Sequence, residues 1–151
     1  MNLEQTNDAL RTWAWRLGLG GLAPFVALAL ASWLTGADLG SRLVAAQLGY
    51  GAVILSFIGA LHWGAVLAAP AVAPRAATIA LGWSVVPALV GWVALLVGPG
   101  WGLQLLTGAF VVALAVDWML YRQYEFAGWF LGLRALLTAI VSVSLLATRQ
   151  L

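Results

Sequence analysis

AATIALGWSVVPALVGWVALLVG, residues 76–98, contains no charged side chain. A helix rises about 1.5 Å per residue, so a stretch of this length covers the roughly 30 Å hydrocarbon core of a bilayer. Its apolar residues come in unbroken runs, without the alternating polarity of a membrane-barrel strand, and this pattern predicts a spanning helix.

Working outward, four further segments meet the same criterion: 13–35, 44–69, 101–121 and 128–148. Turn-forming residues separate them. Thr35-Gly36-Ala37-Asp38 closes the first, Pro70 to Arg75 divides the second from the third, Gly98-Pro99-Gly100 makes an uncharged hairpin, and Arg122 to Glu125 precede the last. The expected fold class is all-α: a polytopic membrane bundle of five transmembrane helices. Residues 1–12 read as a short solvated N-terminal tail, and 13–151 as a single transmembrane helical domain.

Composition points the same way. The chain of 151 residues is 64% hydrophobic and 8% charged, with a mean hydropathy of +0.99, whereas soluble domains are about half apolar and a quarter charged. There are no cysteines, which excludes disulfides, thiolate metal sites and cysteine nucleophiles. One histidine, His62, does not build a multi-histidine metal or bis-histidine haem site. No cofactor is expected. A formal charge of +2 makes no nucleic-acid surface, so the expected partners are membrane lipids and other inner-membrane subunits.

All seven basic residues are arginines, and their distribution predicts topology. Arg11, Arg16, Arg75, Arg122 and Arg134 fall on one side of a five-span model, Arg42 and Arg149 on the other. The N-terminus is therefore expected in the cytoplasm and the C-terminus outside. Trp13, Trp15, Trp101, Trp118, Trp129, Tyr121 and Tyr124 fall near helix ends, where amphipathic rings prefer the interface. Glu4 and Asp8 precede any base, unlike a secretory signal or transit peptide; the expected location is a bacterial inner (plasma) membrane, multi-pass.

Ionisable side chains at membrane depth are costly and mark candidate functional positions. His62, Asp117 and Arg134 are three, each toward the cytoplasmic half of its segment. Asp117 and Arg134 flank the last hairpin and reach similar depth, so they are expected to pair. Such a pair either staples the hairpin or handles a ligand or proton. Arg134, Thr138 and Ser142 form an i, i+4, i+8 stripe expected to face protein. His62 reads either as a proton acceptor or headgroup ligand, or as a hydrogen-bonded packing residue. Pro24 and Pro87 lie inside the first and third segments, where each frees a carbonyl four residues earlier, at Gly20 and Trp83; they kink a helix, with or without lining a cavity. Close helix packing is expected at the small residues Ala60 and Gly64, Ala80, Ser84 and Ala88, and Ala135 and Ala139. The glycines of 18–23 lack the preceding strand of a dinucleotide fingerprint, and there is no Ser-His-Asp spacing, P-loop or His-x-x-x-His.

Tyr50-Gly51-Ala52-Val53-Ile54-Leu55-Ser56-Phe57-Ile58-Gly59-Ala60-Leu61-His62-Trp63-Gly64, then Pro87 with Trp92, Phe110 with Asp117, and Trp129-Phe130-x-x-Leu133-Arg134-x-x-Leu137-Thr138 stand in this order. From about residue 45 onward the chain resembles a family of small bacterial and mitochondrial membrane proteins of unknown function, the one that includes transmembrane protein sixty-nine. That family often has a proline before the aromatic pair of the last helix; Phe126-Ala127-Gly128-Trp129 stands here instead. The resemblance implies a multi-helix inner-membrane protein and brings no established reaction.

Three functions are compatible with these residues. The first is a non-enzymatic inner-membrane accessory, assembly or interaction protein, associated with respiratory membrane complexes. The second is a small transporter or channel-like protein whose polar cavity opens on the cytoplasmic side. The third is an enzyme acting on a lipid or quinone headgroup, with His62 as base and Arg134 as anion clamp.

Overall fold

The computed structural model describes residues 3–68, 74–121 and 128–148. It forms six helices among those residues: α1 (Leu3–Gly20), α2 (Ala23–Leu34), α3 (Ala37–Ala68), α4 (Pro74–Val97), α5 (Pro99–Tyr121) and α6 (Gly128–Ala147). α1 and α2 run together as one span, Asp8–Leu34, so five helical stretches are long and apolar enough to cross a membrane. The all-helical, five-span expectation holds. Arg122, Tyr124 and Arg149, the hairpin residues 122–125 and residues 70–73 lie outside the described residues.

The expected single helix over 13–35 is broken. α1 starts at Leu3, within the segment read as a tail, and stops at Gly20. Gly21 N–H still donates to Leu17 O at 2.9 Å, but Leu22 N–H turns to Leu19 O at 3.1 Å, a tighter turn than an α-helix makes. Two adjacent glycines lower the cost of that break. Pro24 then falls in the first turn of α2, where a missing N–H is harmless, so it begins a helix where a mid-helix kink was expected. Pro87, by contrast, does sit inside α4. Gly98 joins α4 to α5 at a φ of 80°, a conformation open to glycine, and Pro99 follows at the start of α5.

α3 is the central element. Its inward face carries Val44, Leu48, Ala52, Leu55 and Ile58 against Phe25 of α2 and Leu103, Leu106 and Phe110 of α5. Lipid tails are as apolar as leucine, so packing in a bilayer depends on how closely backbones approach. Three glycines set that approach. A methyl group on Gly59 would lie 2.5 Å from Ser84 O and 3.0 Å from Pro87 Cγ, one on Gly91 3.1 Å from Ala52 O, and one on Gly102 would run into Ala94 O and Leu48. The small-residue expectation is therefore corrected in part. Ala80 and Ser84 are buried on the α3 side of α4, but Ala60, Gly64 and Ala139 point outward. Period-four spacing cannot tell a lipid-facing stripe from a packed one when both faces are apolar. Trp101 and Trp118 are exposed near their helix ends and Trp129 is half-buried at the start of α6, but Trp13, exposed, and Trp15, half-buried, lie inside α1 because that helix begins ten residues before Trp13.

Candidate functional site

His62 lies near the C-terminal end of α3, Asp117 near that of α5, and Arg134 in the second turn of α6. These three helix ends share one side of the bundle, because α4 intervenes between α3 and α5 and a single hairpin joins α5 to α6. Antiparallel packing thus brings residues 55 and 17 positions apart in sequence to one depth.

The three side chains meet. His62 Nε2 is 3.1 Å from Asp117 Oδ1. Arg134 Nε and Nη2 donate to Asp117 Oδ2 at 2.8 and 2.6 Å. A carboxylate facing a guanidinium is acceptor-only, so the proton between the imidazole and Oδ1 belongs to His62 Nε2, which donates. An arginine fork usually places its two N–H groups on two carboxylate oxygens. Here His62 holds one oxygen, and the guanidinium closes on the other. His62 and Asp117 are 0% exposed and Arg134 5%, so one carboxylate ties α3, α5 and α6 together out of water.

Thr138, one turn beyond Arg134, is also buried, and Ser142 half-buried, as the stripe predicts. Neither hydroxyl has a hydrogen-bond partner among the described residues. Arg134 and Thr138 form the polar edge of a cavity of about 390 Å³ whose other walls are apolar: Leu17 of α1, Phe25 of α2, Ile54 and Phe57 of α3, and Leu137 of α6. His62 and Asp117 do not line it, and neither Pro24 nor Pro87 does. Pro87 instead borders a separate groove with Trp83 and Gln104 on the α4–α5 side.

A second polar cluster occupies the opposite end of the bundle. Gln47 is fully buried, and its Nε2 approaches Phe25 O and Ser144 O, each at 3.4 Å. Thr148 Oγ1 lies 2.7 Å from Gln47 Oε1 and 2.8 Å from Ser144 O; its one proton serves one acceptor at a time. Exposed Trp33 donates from Nε1 to Ala147 O at 2.7 Å, completing the C-terminal end of α6. Gln47 carries no ionisable group, so the cost of charge at membrane depth does not single it out; the same cost argument extended to a neutral amide does. Tyr50 was likewise unassigned. Its hydroxyl donates to Gly21 O at 3.0 Å, satisfying a carbonyl at the α1–α2 break, and its ring packs on Phe25 at 4.9 Å.

A family model described as Protein of unknown function (DUF3429) matches residues 10–149. The chain belongs to this family. Among curated relatives, it is 35% identical to Transmembrane protein 69 of Xenopus tropicalis over 133 residues, covering 87% of this chain and 51% of that protein. It is 30% identical to Transmembrane protein 69 of Mus musculus over 131 residues, covering 86% and 52% respectively. The resemblance read from the His62, Asp117 and Arg134 segments therefore holds, and the chain spans about half the length of the curated relatives it matches. No solved structure matches it. This DUF3429 member is a multi-pass membrane protein, and the residues that carried the resemblance have visible tasks: Tyr50 holds the break, Gly59 admits α4, and His62, Asp117 and Arg134 bond to one another.

Proposed function

We propose that this protein is a non-enzymatic module of a bacterial inner membrane, an accessory or assembly component that packs against lipids and other membrane proteins, including subunits of respiratory complexes. The closure of the polar group carries this reading: Asp117 accepts from both His62 and Arg134, and all three are withdrawn from solvent. A carboxylate whose two oxygens already hold N–H donors is suited to locking helices together, and a locked bundle presents a fixed outer face to partners.

The alternatives ask for geometry of another kind. Transport through a polar cavity calls for ionisable groups along a hydrated path, whereas the cavity beside Arg134 has apolar walls and excludes His62 and Asp117. A headgroup enzyme calls for His62 and Arg134 on one crevice, and only Arg134 borders it.

Purification of the untagged endogenous protein in mild detergent tests the proposal. A stoichiometric partner chain is the expected result; a lone monomer or homo-oligomer would overturn it. The arginine distribution supports a cytoplasmic N-terminus as part of this proposal, and terminal fusions to a cytoplasm-active and a periplasm-active reporter test that orientation.

A further inference from the structure

Two arginines near one end of the bundle stand in opposite surroundings. Arg134 of α6 is buried and bonded to Asp117. Arg16 of α1 is exposed on the outer surface, as is Arg11, and neither has a carboxylate partner among the described residues.

Helix packing fixes their depth. α6 has 20 residues, which at about 1.5 Å each cover the roughly 30 Å hydrocarbon core, so Gly128 marks one boundary. Gly18 of α1 packs on Leu133 and Leu137, and the end of α2 meets the end of α6 through Trp33 and Ala147. The first span and α6 therefore run side by side in one direction. Helical side chains lean toward the N-terminus, which sets Arg16 roughly 5–8 Å inside the boundary and Arg11 close to it, at about 1.5 Å per residue. A bare cation at that depth is costly. Asp117 supplies the counter-charge of Arg134; Arg16 has to find one outside the bundle.

The surroundings of Arg16 define what fits. Arg11 and Arg16 border one shallow hollow on α1, with Asp8 at its outer end, Thr12 and Trp15 between them and Leu19 at its inner end. Arg16 Cζ lies over the Trp13 ring, 5.5 Å from its centroid, a contact that steadies the guanidinium. Two guanidiniums against the one carboxylate of Asp8 leave the hollow net positive. It is polar at the boundary and apolar at depth, which is the order of a phospholipid, phosphate first and acyl chain next. A soluble anion would make no use of the Trp15 and Leu19 end.

We infer that this hollow binds one anionic phospholipid, its phosphate between Arg11 and Arg16 and an acyl chain along Trp15 and Leu19. The site deepens the lipid-packing part of the function proposed above. It is tested without any protein partner, so its failure would leave the partner experiment standing.

The test is native mass spectrometry of the full chain in mild detergent, titrated with dioleoyl phosphatidylglycerol and, separately, with dioleoyl phosphatidylcholine, whose choline offsets the phosphate charge. The phosphatidylglycerol adduct is expected to be held about five- to thirty-fold more tightly, the factor that one to two arginines contribute near a lipid surface. Arg16→Leu, at an exposed position, should lower that preference about five-fold, and Arg16→Leu with Arg11→Gln should bring the two lipids close to parity. Arg42→Gln, which removes an exposed arginine at the other end of the bundle, should leave the preference unchanged. Equal binding of the two lipids to the native protein, a comparison that needs no variant, would overturn the assignment. So would a loss of preference in Arg42→Gln as large as that in Arg16→Leu, which would reduce the effect to overall charge. Displacement of the lipid by inorganic phosphate, with the same dependence on Arg16, would overturn it too and make the occupant a soluble anion.

Discussion

Arg134 places both Nε and Nη2 on a single oxygen of Asp117, at 2.8 and 2.6 Å, leaving the other oxygen to His62 at 3.1 Å. This arrangement makes the carboxylate the shared anchor of three helices, and it separates the consequences of losing each partner.

Asp117→Ala strands a buried guanidinium and an imidazole N–H together. A loss of about 3–5 kcal/mol is expected, the range for breaking a buried pair. Replacing Asp117 and Arg134 together by leucine should recover most of that loss, because no charge is then left buried without its counterpart. Unfolding titrations in mixed micelles compare the two variants; equal losses would mean that Asp117 and Arg134 do not act as partners.

Gly59 and Gly64 lie on the same helix but differ in surroundings. A methyl group on Gly59 meets the Ser84 carbonyl, whereas one on Gly64 meets nothing within 4 Å. Gly59→Ala should cost about 1–3 kcal/mol through overpacking. Gly64→Ala should be neutral, or stabilising by up to about 1 kcal/mol through helix propensity. Thermal melts in detergent distinguish them, and similar melting temperatures would refute the α3–α4 seam.

Gln47→Leu removes the amide that links α2, α3 and α6. Hydrogen bonds inside membrane proteins average about 0.6 kcal/mol and reach about 1.7, so a fully buried amide serving Phe25 O, Ser144 O and Thr148 should lie at the upper end. Thr148→Val should cost less, because Ser144 O can still accept from Gln47. A double-mutant cycle on the two positions reads their coupling, and a coupling of zero would separate them.

Tyr50→Phe keeps the ring on Phe25 and deletes only the hydroxyl bonded to Gly21 O. The expected global loss is about 0.5–1.5 kcal/mol, with the larger change local. Amide exchange around residues 20–23 should quicken while that of α4 and α5 stays unchanged; uniform exchange would place no special burden on the break.

The spans, their breaks and the embedding in a membrane follow from sequence alone. Twenty-residue apolar runs and the glycine–proline hairpin at 98–100 impose strong constraints wherever they occur, and the five expected spans are present, the first of them interrupted after Gly20. His62, Asp117 and Arg134 were legible for a related reason: a charge in hydrocarbon is so costly that its presence in a span announces a partner. Which atoms pair was decided only by tertiary structure. Sequence suggested an Asp–Arg pair across a hairpin; the packing of α3 against α5 added His62, and with it the choice of one oxygen for the whole guanidinium. The orientation of each helix about its axis was also out of reach. Leucine is equally at home against lipid and against protein, so an apolar pattern carries little information on which side packs. Ala60 and Gly64 therefore resemble a seam, while the packed seam runs through Gly59 and Gly102, where neighbouring backbones leave no room for a side chain, and Gly91, where the fit is tight.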